Sequence, residues 1–357
     1  MKPGLKGKFL VGLLLALTVL AVAQTITTLN DPHAGAVSKD GTISVAMNDS
    51  GTITGAYIDS SHVGHGFIRS ASGKYTTFDD PGEGTGVELT GGAGINAGGT
   101  ITGYFLDTNT VFHGFVRATN GAITNFDVPG AGTSKAEGTE ALGINKTGTI
   151  TGYYTDSVGV YHCFVRATTG TITGFEAPHA GNGNHQGTLC GSINDSGTVV
   201  GGYHTAQNNY FGFTRSASGK FTEFNYPGAK NTSATAINDA GTTTGWYVDT
   251  VGIEHGFVRS SAGDFTSFDA PNNPHQTAGW NINKNGDVTG LYTNASGGVF
   301  GFVRAADGTF TSFSAPKSGR LGTLIPSGFE MTINDSGNVV GYYLDSNSVF
   351  HGYLFIP

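Results

Sequence analysis

Five aspartate–histidine pairs are the residues of this 357-residue chain best placed by type and spacing to do chemistry. Asp59 and His65, Asp107 and His113, Asp156 and His162, Asp249 and His255, and Asp345 and His351 each stand six positions apart. A carboxylate that accepts from one imidazole nitrogen orients the ring and favours its charged form, an arrangement that serves a general base, a metal ligand or a structural hydrogen bond. Catalysis has little use for five scattered copies, so all five read as structural pairs. Two further copies of the same segment carry Thr205 with Phe211 and Asn294 with Phe300. Both partners are lost together, as expected of side chains that bond each other and leave a buried polar group when separated.

A second set of polar residues lies in segments of variable length. Glu88, Glu137, Gln186 and His275 each precede a recurring asparagine by eight positions, so they are expected to point into one funnel. With His185 and Trp280 they are the ligand-binding candidates, because polar groups beside an aromatic ring suit recognition of a sugar face. Enzyme readings have less to stand on. Glu88, Glu137 and Glu140 supply carboxylates of the kind a glycosidase sets at a defined separation. His179 and His185 with Glu137 are potential metal ligands, but no H-E-x-x-H or comparable spacing is present. The N-D-S-G of Asn48–Gly51 has too few carboxylates for a calcium loop and reads as a turn. No catalytic residue, metal or cofactor is expected.

The elements that position these residues follow from a repeat. Asn48, Asn96, Asn145, Asn194, Asn238, Asn283 and Asn334 mark seven units with a period of about 48 residues, the size of a four-stranded blade. Each is followed three positions on by glycine, which reads as an N-x-x-G turn. An H-G-F-V-R-like strand comes next, and an F-D-x-P segment such as Phe126–Pro129 closes the unit. Only the stretch from that proline to the next asparagine changes length. In the second unit the strands read as residues 92–95, 100–106, 113–117 and 122–126.

The chain ends supply the closure. The seventh unit stops at Pro357 before any fourth strand, while residues 24–32 align with the fourth strand and F-D-x-P close of the first full unit. The expected fold is therefore all-β, a seven-bladed β-propeller of four-stranded antiparallel blades, closed by the N-terminal strand completing the last blade. Closure removes the exposed sheet edges. Turns of constant length fall on one face and variable connections on the other, and variable loops on a rigid frame are where binding residues concentrate. The arginines that end the third strands, from Arg69 to Arg304, are expected to pack along their own hairpins.

Residues 1–23 read as a signal peptide, with Lys2, Lys6 and Lys8 ahead of an apolar run and Ala21-Val22-Ala23 as the cleavage site. Residues 24–357 then form one propeller, secreted to the periplasm or outside the cell, with no membrane span after cleavage. Loss of the three lysines takes the formal charge from −8 to about −11. An acidic chain without basic clusters argues against nucleic acid as a partner. A monomer is expected. Cys163 and Cys190 have the option of pairing in an oxidising compartment, but each sits in a small-residue position of its unit, and two unpaired small hydrophobes is the preferred reading.

The H-G-F strand, the N-x-x-G turn, the G-x-Y-x-D strand and the F-D-x-P close resemble the bacterial extracellular repeats of the HAF type, across the whole of residues 24–357. The chain departs from that pattern in carrying Gly, or Cys163 once, where the family name implies Ala, and in Phe211 and Phe300 at the His position. The resemblance implies export and a repeated β fold and brings no catalytic set. The expected function is a secreted noncatalytic binding or surface-interaction module, with an extracellular glycan or cell-surface component as partner. The alternative is an extracellular hydrolase or lyase acting on polysaccharide or peptide at the axial mouth.

Overall fold

The structure, a computed structural model, describes residues 24–82, 89–271, 276–316, 320–321 and 331–357. The leader segment, Glu88 and His275 lie outside the described residues. Every regular element among them is a β-strand. The Asn145 unit shows the pattern: an inner strand Gly138–Ile144, a second strand Ile150–Thr155, a third strand Tyr161–Arg166 and an outer strand Ile172–Phe175. Neighbours pair antiparallel, with Ala141 opposite Gly152, Tyr154 opposite His162 and Cys163 opposite Phe175. The turn glycines adopt the left-handed conformation the N-x-x-G reading requires, with φ of 87° at Gly148, whose N–H donates to the Asn145 carbonyl.

Alternation along the strands builds the core. In the third strand the residue two beyond the histidine position faces inward in every unit: Phe67, Phe115, Phe164, Phe213, Phe257 and Phe302 are fully buried and Tyr353 nearly so. Each buried ring contributes about 2–3 kcal/mol of hydrophobic stabilisation. In the same clusters stand Ile53, Ile101, Ile150, Val199, Val288 and Val339, also fully buried.

Units meet through short parallel bridges between the start of one third strand and the start of the next inner strand, as at Tyr161 with Gly187 and Phe112 with Gly138. The same bridge joins the far end of the chain to its beginning, Phe350 with Gly41. The strand Thr25–Leu29 runs antiparallel to Phe350–Ile356, with Thr25 opposite Ile356 and Leu29 opposite Gly352.

One expectation is corrected. Cys163 and Cys190 form a disulfide, with Cα atoms 5.8 Å apart. The third strand of one unit packs against the inner strand of the next, so two small-residue positions far apart in sequence become facing neighbours. A periodic sequence does not announce that contact.

Candidate functional site

Each histidine of the five pairs sits between two acidic or amide side chains. His65 Nε2 lies 3.6 Å from Asp59 Oδ2, and its Nδ1 lies 2.8 Å from Asp79 Oδ1. His113 stands 3.7 Å from Asp107 and 2.9 Å from Asp127. His162 is 3.1 Å from Asp156 and meets Glu176 on its other nitrogen. His255 is 3.5 Å from Asp249 and 2.8 Å from Asp269. His351 is 3.5 Å from Asp345, and its second partner is Asn30 at 2.9 Å, which arrives with the N-terminal strand.

The second partner was missed in the sequence reading, although a signal existed. It is the acidic residue of the F-D-x-P segment, and the two units without histidine carry Asn225 and Ser314 there. The first partner has two roles. Asp59 Oδ1 accepts the N–H groups of Ser61 and Val63, closing its own turn, and only Oδ2 faces the ring. Thr205 and Asn294 keep the turn-closing bonds, from Gln207 and Asn209 and from Ser296 and Gly298 respectively. They lack the second carboxylate oxygen.

An imidazole that donates from both nitrogens is protonated. For His65 burial lowers the pKa, but the bonds and charges of Asp79 and Asp59 outweigh it and hold the pKa above 6.5. For His162 the bond to Glu176 leads and Asp156 adds to it, against burial. Burial raises Asp59 and Asp156, yet their turn N–H groups and the histidines leave both below 3.8.

The loop candidates turn back on their own segments. Glu137 Oε2 accepts the Ser134 N–H at 2.8 Å. Gln186 Oε1 accepts from Gly183 N–H, and its Nε2 donates to Asn208 Oδ1 at 2.8 Å, tying two loops together. His185 is exposed, with its Nδ1 3.2 Å from the Tyr161 hydroxyl. Trp280 is half-buried against the core and lines the axis. Glu137 and Gln186 therefore brace loops, and Trp280 stands apart from them.

The recurring asparagines do more than form turns. Asn145 Oδ1 accepts the Thr149 N–H of its own turn, and its Nδ2 donates to the backbone carbonyl of Asn194 in the next unit. The same step runs from Asn48 to Asn96 and on through Asn145, Asn194, Asn238 and Asn283 to Asn334, each at 3.1–3.2 Å. Between the last unit and the first, Asp335 N–H donates to Asp49 Oδ1 at 2.8 Å. Aspartate would close the turn but has no N–H to pass on, which is why the residue is asparagine. All seven asparagines surround one cup of about 260 Å³.

No protein-family model and no curated protein matches the sequence. Solved structures do resemble it. Streptogramin B lyase superposes with a TM-score of 0.55 at 15% identity, covering 93% of this chain and 97% of that one. The lectin BP39L from Burkholderia pseudomallei gives 0.53 at 10% identity, covering 87% and 94%. Puromycin hydrolase gives 0.53 at 12% identity, covering 86% of this chain and 51% of that one. The fold is a β-propeller. At these identities the likeness concerns the fold and not the chemistry.

Within the propeller the arginines act between units. Arg117 lies over Phe78, Arg166 over Phe126, Arg215 over Phe175, Arg259 over Phe224 and Arg304 over Phe268, at 4.3–5.2 Å, each ring belonging to the outer strand of the preceding unit. Packing along the arginine's own hairpin, as expected from the sequence, accompanies this in part: Arg69 lies over Tyr75 at 5.8 Å, Arg215 over Phe221 at 6.0 Å and Arg259 over Phe265 at 5.7 Å. Two carboxyls stand out on the opposite end from the asparagine cup. Burial pushes Glu140 up to about 7 against a hydrogen bond from Tyr153, and burial likewise pushes Glu254 up to about 7. Among the described residues no group of three or more His, Cys, Asp or Glu side chains is placed to hold a metal ion.

The histidine clamps make a testable contribution. His65→Phe, which copies the Phe211 and Phe300 units, is expected to cost about 1 kcal/mol between pH 3.8 and 6.5, where both partners are charged, the scale of a partly exposed charged pair. A raised histidine pKa stabilises fully below the unfolded value of 6.5, and that stabilisation is lost as pH rises through the folded value. The lowered Asp59 acts oppositely: its contribution is present above 3.8 and lost as pH falls. Chemical denaturation across pH should show the wild-type advantage over His65→Phe shrinking above pH 6.5. A gap that is flat in pH counts against a protonated clamp.

Proposed function

We propose that this chain is an exported, closed seven-bladed propeller that binds extracellular glycan or cell-surface material, without catalysis, on the face carrying the variable connections. Seven asparagines around one cup and the pairing of residues 25–29 with 350–356 support the seven-bladed ring. Export rests on the leader-like residues 1–23 and on the resemblance to HAF-type repeats. The observation that carries the binding reading is the set of aromatic and imidazole groups at unit junctions on that face. Tyr161 bonds exposed His185, and in the next junction Tyr210 stacks on Trp246 with ring centroids 6.0 Å apart. Flat rings beside hydrogen-bonding groups are suited to the apolar face and hydroxyls of a sugar.

A glycan array probed with residues 24–357 tests this reading. Binding is expected, with Tyr161→Ala and Trp246→Ala each weakening it about ten-fold or more. An array with no signal above background, or signal untouched by both substitutions, overturns it. The same fold carries a lectin in BP39L and enzymes in streptogramin B lyase and puromycin hydrolase, so the fold does not choose between the classes. The second reading, an extracellular hydrolase or lyase, draws on Glu140: a buried carboxyl poised near neutrality suits proton transfer. Turnover of any polysaccharide or peptide that Glu140→Gln abolishes would favour it.

A further inference from the structure

The inner strands do not run straight to the asparagine turns. In the first six units the register of the inner strand against the second strand slips by one residue just before the turn, as between Ala141 and Gly143. The extra residue of such a bulge leaves the ladder and is free to aim elsewhere. In the second to sixth units it faces the axis: these residues are Ala93, Leu142, Gly191, Thr235 and Trp280, and with Met331 of the seventh unit they line a chamber of about 160 Å³. Identical positions thus carry side chains from glycine to tryptophan, and the chamber is lopsided. Trp280 and Met331 form one wall, while Ala93 and Gly191 leave room on the other.

Its size and lining have a chemical meaning. An apolar cavity of about 150 Å³ holds a benzene ring. Its lining combines apolar side chains, among them an indole and a thioether that pack well on an aromatic ring, with polar groups that make up the larger part of the exposed wall. The Trp280 indole N–H is buried there and finds no hydrogen-bond partner among the described residues.

The chamber opens into the asparagine cup, for Met47, Ile95, Ile144 and Ile193 line both. The residue after each asparagine sets the charge of the cup: Asp49, Lys146, Asp195, Asp239, Lys284 and Asp335, with Ala97 as the uncharged seventh. Lys146 pairs with Asp195 at 2.9 Å and Lys284 with Asp335 at 2.6 Å. Asp49 and Asp239 have no lysine of their own, so four acids face two bases and the rim keeps an excess of negative charge. A ring-sized chamber with an indole and a thioether in its wall, beneath an acidic rim, suits a ligand with an aromatic ring at one end and a cation at the other. We infer that the axial channel binds a small arylalkyl ammonium, its ring against Trp280 and its ammonium at the rim, drawn by the excess negative charge that Asp49 and Asp239 leave there. This site lies at the opposite end of the ring from the face assigned to glycan, and it stands or falls independently.

The test is calorimetric titration of residues 24–357 with phenethylamine, with tryptophan fluorescence recorded in parallel. Binding is expected, together with a change in emission that disappears in Trp280→Phe; Trp246 remains in that variant as an internal reference. Butylamine, which lacks the ring, and 3-phenylpropionate, which reverses the charge, are each expected to bind about ten-fold more weakly or worse. Asp49→Asn with Asp239→Asn should weaken phenethylamine and leave 3-phenylpropionate no worse, because only the cation uses those groups. Ala93→Leu should fill the open side and abolish binding. Its melting temperature is measured alongside, and should it fail to fold, Trp280→Phe and the aspartate pair carry the decision. No binding to the intact protein at about 10 mM overturns the site. Equal affinity for amine and carboxylate overturns the assignment of the rim.

Discussion

Deletion of residues 24–31 is expected to lower the melting temperature by on the order of 10 °C, far more than loss of an ordinary eight-residue end. The strand Thr25–Leu29 forms five successive pairs with the last strand of the chain. Leu29 is 2% exposed and belongs to the core built around Phe67 and Val340, and Ile26 packs against the core that holds Phe355. Removal of one buried leucine typically costs about 2–5 kcal/mol. The deletion also takes away the Thr28 bond to the Tyr343 hydroxyl, the Asp31 N–H bond to Thr42 and the Asn30 partner of His351. Phe350–Ile356 would then present an unpaired edge. The sum is about 5 kcal/mol or more. Calorimetry of the truncated and intact proteins checks it, and a synthetic peptide of residues 24–31 added in excess should restore part of the loss. A truncated protein that melts within about two degrees of the intact one would remove the closure argument.

That strand was visible in the sequence because its Asn30-Asp31-Pro32 repeats the close of every other unit, and a motif found at the wrong end of a chain has to pair with the end that lacks it. The Asp–His pairs were visible for a related reason. Their partners lie six residues apart on adjacent strands, so each unit contains both members and the units can be compared. Contacts between units left no such trace. The asparagine side chain reaches the carbonyl of the next asparagine 44–51 residues away, and each end of that bond looks like an ordinary turn residue. Arg117 over Phe78 hides in the same way, because each unit supplies an arginine and a phenylalanine and the sequence does not say which copies meet. The second partner of each clamp is harder to read: it is acidic in four of the five histidine units and Asn30 in the fifth, and Phe-Asp-x-Pro has a sufficient explanation as a strand end. Among the loop candidates, polar type alone did not separate a residue facing a ligand from one facing its own backbone, and Glu137 and Gln186 proved to be the latter kind.

Replacement of Gly152 by alanine is expected to cost about 3 kcal/mol or more, although the site is neither a turn nor a left-handed position. A methyl group there would stand 2.0 Å from the Glu140 carbonyl oxygen and 3.0 Å from the Ala141 Cα. Those are backbone atoms of the facing inner strand, so no side chain can rotate to make room. Five other units repeat the contact: Gly55, Gly103, Gly201, Gly245 and Gly290 each face a carbonyl oxygen of their own inner strand at 1.9–2.1 Å. The close approach sits directly across from the bulge, and it is what lets the inner strand slip by one residue and send Leu142 to the axis. Alanine at 152 therefore pushes the inner strand away and works against the bulge itself. Gly170→Ala supplies the comparison. Gly170 has a φ of 92° in an exposed hairpin, and alanine there should cost only about 1 kcal/mol. Denaturant unfolding of the two variants separates the mechanisms: equal losses would mean that backbone conformation, and not the approach of two strands, accounts for the glycine. A loss at Gly152 several times larger ties the spacing of the inner hairpin to the shape of the axial chamber, since the same one-residue slip produces both.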